Sequence, residues 1–132
     1  MQAVSESEIN SYKIITMPFI DFNTRKKTNI WPGISGSLFH SEQLSFGHFT
    51  IEKDSVLPEH NHHHEQWTHL IQGELEFDIN GEKQLLTPGK TAFIPSGLPH
   101  SAKAITECKV IDCFLPVRED FVTLEKEQNI KK

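Results

Sequence analysis

The sequence predicts an all-β protein, an antiparallel barrel or sandwich with short irregular termini, and three observations carry that prediction. Turn signals recur at Pro32-Gly33, Asn80-Gly81, Pro88-Gly89 and Ser96-Gly97, dividing the middle of the chain into short runs. Between two of them Leu75, Phe77 and Ile79 alternate with Glu74, Glu76 and Asp78, the period of a half-buried strand. No segment before residue 118 keeps a helical period for three turns.

The elements follow in order. Residues 1–30 read as an N-terminal arm and edge strand, because Met1 to Asn10 is polar and offers nothing to bury. Residues 31–121 form the barrel. Within it, Asn80-Gly81 turns the Leu75–Ile79 strand back into Gln84-Leu85-Leu86, since both positions of the tight hairpin turn require positive φ. Thr91 to Pro95 and Lys109 to Leu115 continue the strand pattern. Residues 122–132 form a tail of mixed charge, a short surface helix or a frayed end.

At 132 residues with 36% hydrophobic content, the chain suits one domain with a sizeable core. Glu6 and Glu8 break any secretory apolar run, and no stretch approaches the ~20 apolar residues of a membrane span. The reading is a soluble, cytoplasmic protein with no membrane partner. A net charge of −5 and the absence of a basic run beyond Arg25-Lys26-Lys27 argue against nucleic acid as a partner. Cys108 and Cys113 lie five residues apart on one strand, on opposite faces and roughly 17 Å apart, too far for a disulfide.

Five of the eight histidines fall between His60 and His69. Two residues apart on a strand means one face, so His60 and His62 present imidazoles to one ion while Asn61 points away. Gln66 keeps that parity and reaches the same ion after a turn. Fifteen residues separate Gly73 from Gly89, where Gly89-x5-Pro95-x-Gly97-x2-His100 begins, and a barrel brings His100 back to the mouth as the fourth donor. The expected cofactor is therefore one divalent metal ion, nickel, zinc, manganese or iron. Glu65 faces outward, because turning it inward would reverse the whole following strand. A histidine-rich loop that binds metal by accident is the plainer reading of the first segment alone, and the second segment argues against it.

Asp112 and Phe114 share parity with Val110, so a core-facing Val110 takes a carboxylate and an aromatic ring into the barrel beside it. A buried aspartate is costly unless paired or functional. Arg118 follows the bend at Pro116 and can fold over the mouth. By themselves these residues fit a core phenylalanine and a structural Asp112–Arg118 ion pair at least as well as a site.

These segments resemble the cupins, whose first motif reads Gly-x5-His-x-His-x3-Glu-x6-Gly and whose second reads Gly-x5-Pro-x-Gly-x2-His-x3-Asn. His60, His62 and Gly73 match the first, and Gly89, Pro95, Gly97 and His100 the second. The resemblance implies a double-stranded β-helix, or jelly-roll, barrel. Asp54 replaces the opening glycine, Ala104 the final asparagine, and Gln66 the usual glutamate. A His3Gln set is neutral, so a divalent ion keeps its full charge and polarises rather than exchanges electrons.

The tail Asp112-x-Phe114-x-Pro116-x-Arg118-Glu119-Asp120-Phe121, with His60-x-His62-x3-Gln66, is similar to the pectin-degradation cupins. That resemblance implies conversion of 4,5-unsaturated monouronates from pectin or alginate breakdown into linear ketouronates. It also implies metal ligands His60, His62, Gln66 and His100, and catalytic residues Asp112, Phe114 and Arg118. The implied partner is a small anionic sugar, and a homodimer is expected because such barrels commonly cover a sheet face with a second copy. Two other functions use the same residues: a mononuclear iron dioxygenase, recognised by oxygen consumption, and a non-catalytic sugar- or metabolite-binding cupin, recognised by tight binding without product.

Overall fold

The computed structural model describes residues 18–130, so the polar segment Met1–Asn10 and the last two lysines lie outside the described residues. Among the described residues ten strands and one helix follow in order: β1 (Thr28–Trp31), β2 (Ile34–His40), β3 (Ser45–Ile51), β4 (Val56–His60), β5 (Glu65–Gln72), β6 (Leu75–Ile79), β7 (Glu82–Leu86), β8 (Thr91–Ile94), β9 (His100–Ala104), β10 (Cys108–Leu115) and α1 (Glu119–Ile130). They form a six-stranded sheet in the order β1-β2-β3-β10-β5-β8 and a four-stranded sheet in the order β4-β9-β6-β7. Every pairing is antiparallel.

Alternation along the strands places the core between the sheets. In β6, Leu75 and Phe77 are buried while Glu76 is exposed, and in β5, Gln66, Thr68 and Leu70 point inward between Trp67 and Ile71. Leu38, Leu70, Leu75 and Ile94 are nearly inaccessible and tie the two sheets into one apolar cluster. This is the jelly-roll barrel that the sequence predicts.

The hairpin between β6 and β7 turns through Asn80 at φ 51° and Gly81 at φ 90°, with Ile79 facing Glu82. Asp78 Oδ1 accepts the Gly81 N–H at 2.9 Å and fastens the turn. Asp54, standing where the motif has glycine, adopts φ 68°. Aspartate is among the few side chains that enter the left-handed region.

The C-terminal end is more regular than its charge pattern suggests. The helix begins at Glu119, three residues before the mixed-charge tail, because Phe121 is 7% exposed and Leu124 packs on the core. Gln128 exchanges two hydrogen bonds with the backbone of Asn29, clasping α1 to β1 at 2.8 and 2.9 Å. Among the described residues no helix is long and apolar enough to cross a membrane. Both cysteines are free thiols.

Candidate metal centre and adjoining cavity

His60 ends β4 and His100 opens β9, and these two residues face each other in the register of the four-stranded sheet. His62 stands in the loop that crosses to the other sheet, and Gln66 is the second residue of β5. The crossing loop is held against the turn of the second motif: Gly97 donates its N–H to His62 O at 2.8 Å, and the Ser96 hydroxyl donates to His63 O. Two segments far apart in the chain thus share one rim.

The donor atoms of His60, His62 and His100 all lie within 4.8 Å of one another. Each ring sets its Nδ1 against a nearby backbone carbonyl: His60 on Pro58 O at 2.8 Å, His62 on His64 O at 3.0 Å and His100 on Leu98 O at 2.9 Å. A carbonyl only accepts, so Nδ1 carries the hydrogen, and in a neutral ring the lone pair falls on Nε2. Burial lowers the pKa of His62 to about 4, with Arg118 and His100 adding repulsion, and burial lowers that of His100 as well. His62 and His100 therefore present lone pairs rather than positive charges at neutral pH.

Two features test whether a metal ion fits. His100 is 1% exposed and its Nε2 is buried with no hydrogen-bond partner in the protein. An orphaned lone pair of this kind is costly unless something electrophilic meets it. Gln66 Oε1 lies 3.0 Å from His62 Nε2, one lone-pair atom against another. Two donors each about 2.1 Å from one ion and at right angles to it stand about 3.0 Å apart. The cluster can bind a metal ion, and the Nδ1–carbonyl contacts are the outer contacts that orient metal-binding histidines.

Glu65 does not join the cluster. Its carboxylate accepts the Trp67 indole N–H at 3.1 Å on the outer face, as strand parity requires. His69 also faces outward, against the Thr91 hydroxyl. His64 contributes its carbonyl rather than its ring. His40 bonds Ser45 Oγ at 2.7 Å, and His48 stacks on Phe22 at 4.4 Å, so both serve packing.

Beside the cluster a cavity of about 410 Å³ opens between the sheets, with His60, Gln66, Thr68, Asp112, Arg118 and Asp120 among its lining residues. Asp112 faces Thr68 across β10 and β5, and its Oδ1 is enclosed without a partner. Burial raises the Asp112 pKa to about 7, against the lesser opposing pull of the Thr68 hydrogen bond and the Arg118 charge. Such displacement of a carboxyl group in a cavity marks functional sites.

The structural Asp112–Arg118 ion pair left open by the sequence is not formed. Arg118 instead gives Nε and Nη2 to the two carboxylate oxygens of Asp120 at 2.9 and 2.7 Å. Its guanidinium carbon lies 3.8 Å from the Phe121 ring centre and 4.8 Å from that of Phe114. The Arg118 backbone N–H donates to the buried Ser45 hydroxyl at 2.8 Å. Sequence reasoning named Phe114 and Arg118 but gave no role to Asp120, Phe121 or Thr68. Asp120 and Phe121 lie within the quoted tail motif, and Thr68 shares parity with Gln66, so each left a faint signal.

Residues 47–114 match the cupin domain, which covers the metal cluster and Asp112. The chain belongs to the cupin family. This cupin is similar to KdgF from Halomonas sp., with 29% identity and a TM-score of 0.73 over 78% of this chain and 96% of that one. It is equally similar to an RmlC-like cupin from Shewanella frigidimarina, at 27% identity and a TM-score of 0.74 over 78% of this chain and 94% of that one. A predicted oxalate decarboxylase from Thermotoga maritima shares the fold, with a TM-score of 0.67 at 16% identity over 74% of this chain and 98% of that one. No curated protein sequence matches the chain. The motif resemblance to the pectin-degradation cupins thus sits on a single-domain cupin whose histidine cluster is able to bind a metal ion.

Proposed function

We propose that this cupin is a metal-dependent enzyme that opens and ketonises 4,5-unsaturated monouronates from pectin or alginate breakdown, giving linear ketouronates. The observation that carries the reading is the convergence of Asp112, Arg118, His60 and Gln66 on one cavity. The likeness to KdgF and the tail motif shared with the pectin-degradation cupins support it.

His60, His62, His100 and Gln66 would hold the ion. A divalent ion there supplies Lewis acidity toward an anionic or enolic oxygen of the substrate. Opening of the cyclic hemiacetal breaks the bond between the anomeric carbon and the ring oxygen, leaving an aldehyde and an enol. Protonated Asp112 gives its proton to the alkene carbon that is not bonded to the enol oxygen. The enol hydroxyl proton then returns to Asp112, the carbonyl forms, and no atom is gained or lost. A carboxyl group with a pKa of about 7 suits both directions of this transfer at neutral pH.

Arg118 would bind the substrate carboxylate. Because Asp120 occupies Nε and one Nη2 hydrogen, the free edge is the one formed by Nη1 and the second Nη2 hydrogen. Phe114 supports that guanidinium from below and closes the cavity floor.

The deciding experiment incubates nickel- or manganese-loaded protein with unsaturated galacturonate and follows loss of the alkene absorbance. Asp112→Asn is expected to lower the rate by about 10²–10⁴-fold while metal content at saturating metal is unchanged. Full activity in the Asp112→Asn variant would remove Asp112 from the mechanism. One observation favours a second reading: Ile34, Phe49, Leu75, Val110 and Leu124 give much of the cavity an apolar wall. A binding module for an organic acid with an apolar body would use that wall, and saturable binding without product would identify it.

A further inference from the structure

Thr68 is 2% exposed and stands between the proposed fourth metal ligand and the proposed proton carrier. Gln66 Nε2 donates to Thr68 Oγ1 at 2.8 Å, and Asp112, the partner of Thr68 in the β5–β10 register, stands next to that hydroxyl. A hydroxyl has one hydrogen to give. An ionised Asp112 only accepts, so it can take that hydrogen while the Thr68 oxygen accepts the Gln66 amide N–H.

This ordering decides which end of Gln66 faces the imidazoles. With Nε2 committed to Thr68, the amide oxygen is turned toward His62 Nε2, 3.0 Å away. Rotating the amide by half a turn would set its NH₂ group where a ligand is needed. It would also demand the Thr68 hydrogen for the amide oxygen, taking from Asp112 the one donor that the geometry gives it while its Oδ1 already lacks a partner. Both consequences are unfavourable, so the three groups hold one another in a single arrangement.

We infer that Thr68 is a positioning residue whose hydroxyl fixes the Gln66 amide with its oxygen toward the metal and thereby joins the ligand set to Asp112 as one hydrogen-bonded unit. The inference rests on Gln66 as fourth ligand, as proposed above. It also gives a physical reason for the pairing of glutamine with this threonine. A carboxylate at position 66 has two equivalent oxygens and no end to choose, and it would compete with Asp112 for the same hydrogen.

The test measures nickel affinity of the metal-stripped full-length chain by titration calorimetry, with no sugar present, so it does not depend on uronate turnover. Thr68→Val keeps the shape and removes the hydroxyl, and is expected to weaken nickel binding by about 10–100-fold, the usual cost of losing an outer contact of a metal ligand. Thr68→Ser is expected to restore the parent affinity. In the Gln66→Glu background the same Thr68→Val change is expected to leave nickel affinity essentially where Gln66→Glu alone puts it. Should the valine variant not fold by circular dichroism, Thr68→Ala carries the same comparison.

Unaltered nickel affinity on Thr68→Val, or equal losses in the glutamine and glutamate backgrounds, overturns the inference. Gln66→Ala separates the two levels of the argument. If it leaves nickel affinity intact, the four-donor site fails and this inference with it. If it weakens binding while Thr68→Val does not, only the role of Thr68 falls.

Discussion

The two walls of the cavity are prepared in opposite ways. On the histidine wall each imidazole is oriented by a backbone carbonyl two residues away and presents a free lone pair. On the β10 wall Arg118 is oriented by side chains of the following helix, while Asp112 is half-buried with its Oδ1 enclosed and unpartnered. Local hydrogen bonds orient the imidazoles, and burial keeps His62 and His100 neutral. Burial makes a carboxyl group whose proton is mobile near neutral pH. The comparison teaches that the same burial yields a neutral lone-pair donor where it meets an imidazole and a titrating acid where it meets a carboxyl group.

Breaking the histidine wall has the largest expected effect. His100→Ala removes a buried donor whose ring is also fixed by Leu98, and metal affinity is expected to fall by more than about 100-fold, beyond the loss usual for an outer contact. Equilibrium dialysis with elemental analysis checks this, and retained stoichiometric metal would mean that the orphaned nitrogen is not a ligand.

On the opposite wall, Asp120→Asn weakens the fork that aims Arg118. Hydrogen bonds to charged groups contribute ~1.5–3 kcal/mol, so KM for an unsaturated uronate is expected to rise about tenfold or more, with kcat less affected. A change confined to kcat would show that Asp120 acts in proton transfer rather than in positioning.

The pH dependence sharpens the contrast. The folded-state pKa of Asp112 is raised from 3.8 to about 7, so between these values the native protein binds more protons than the unfolded chain. Stability is thus lost as pH rises from about 4 to about 7, and the cost of an enclosed carboxylate is complete above 7. Metal-free Asp112→Asn is expected to melt higher than the parent at pH 8, with the advantage shrinking as pH falls toward 4. With Asp112 as the proposed proton donor, activity is expected to decline as pH rises past about 7. A flat difference in melting temperature across that range would place Asp112 in contact with water.

The smallest effect lies away from both walls. Asp54 holds φ 68° where the family motif carries glycine, and Asp54→Gly is expected to stabilise the fold by no more than about 1 kcal/mol. Chemical denaturation measures it, and unchanged metal affinity would show that the turn and the site are independent.

Much of this protein was legible in residue order because the relevant physics is local. Period-two alternation in Leu75–Ile79 and the Asn80-Gly81 turn each depend on neighbours a few positions away, and each appears in the structure as read, whereas His62 lies in the loop after β4, so its approach to His60 and His100 comes from the path of that loop and not from strand parity. Strand parity even settled Glu65, whose carboxylate points outward. The helix start at Glu119 was missed because Phe121 and Leu124 are paired with a core that charge pattern does not show. The partner of Arg118 was missed for a related reason: Asp112 and Asp120 are equally available in sequence, and only the path of the chain after Pro116 selects Asp120.

Sequence by itself determined the strand faces, the family and the donor types of the metal cluster, since these follow from alternation and short spacing. Tertiary structure alone decided how far Asp112 is removed from water, which carboxylate Arg118 grips and which end of Gln66 faces the imidazoles. Those properties depend on what lies across a cavity rather than along the chain, and enclosure is what turns an ordinary aspartate into one that titrates at about 7.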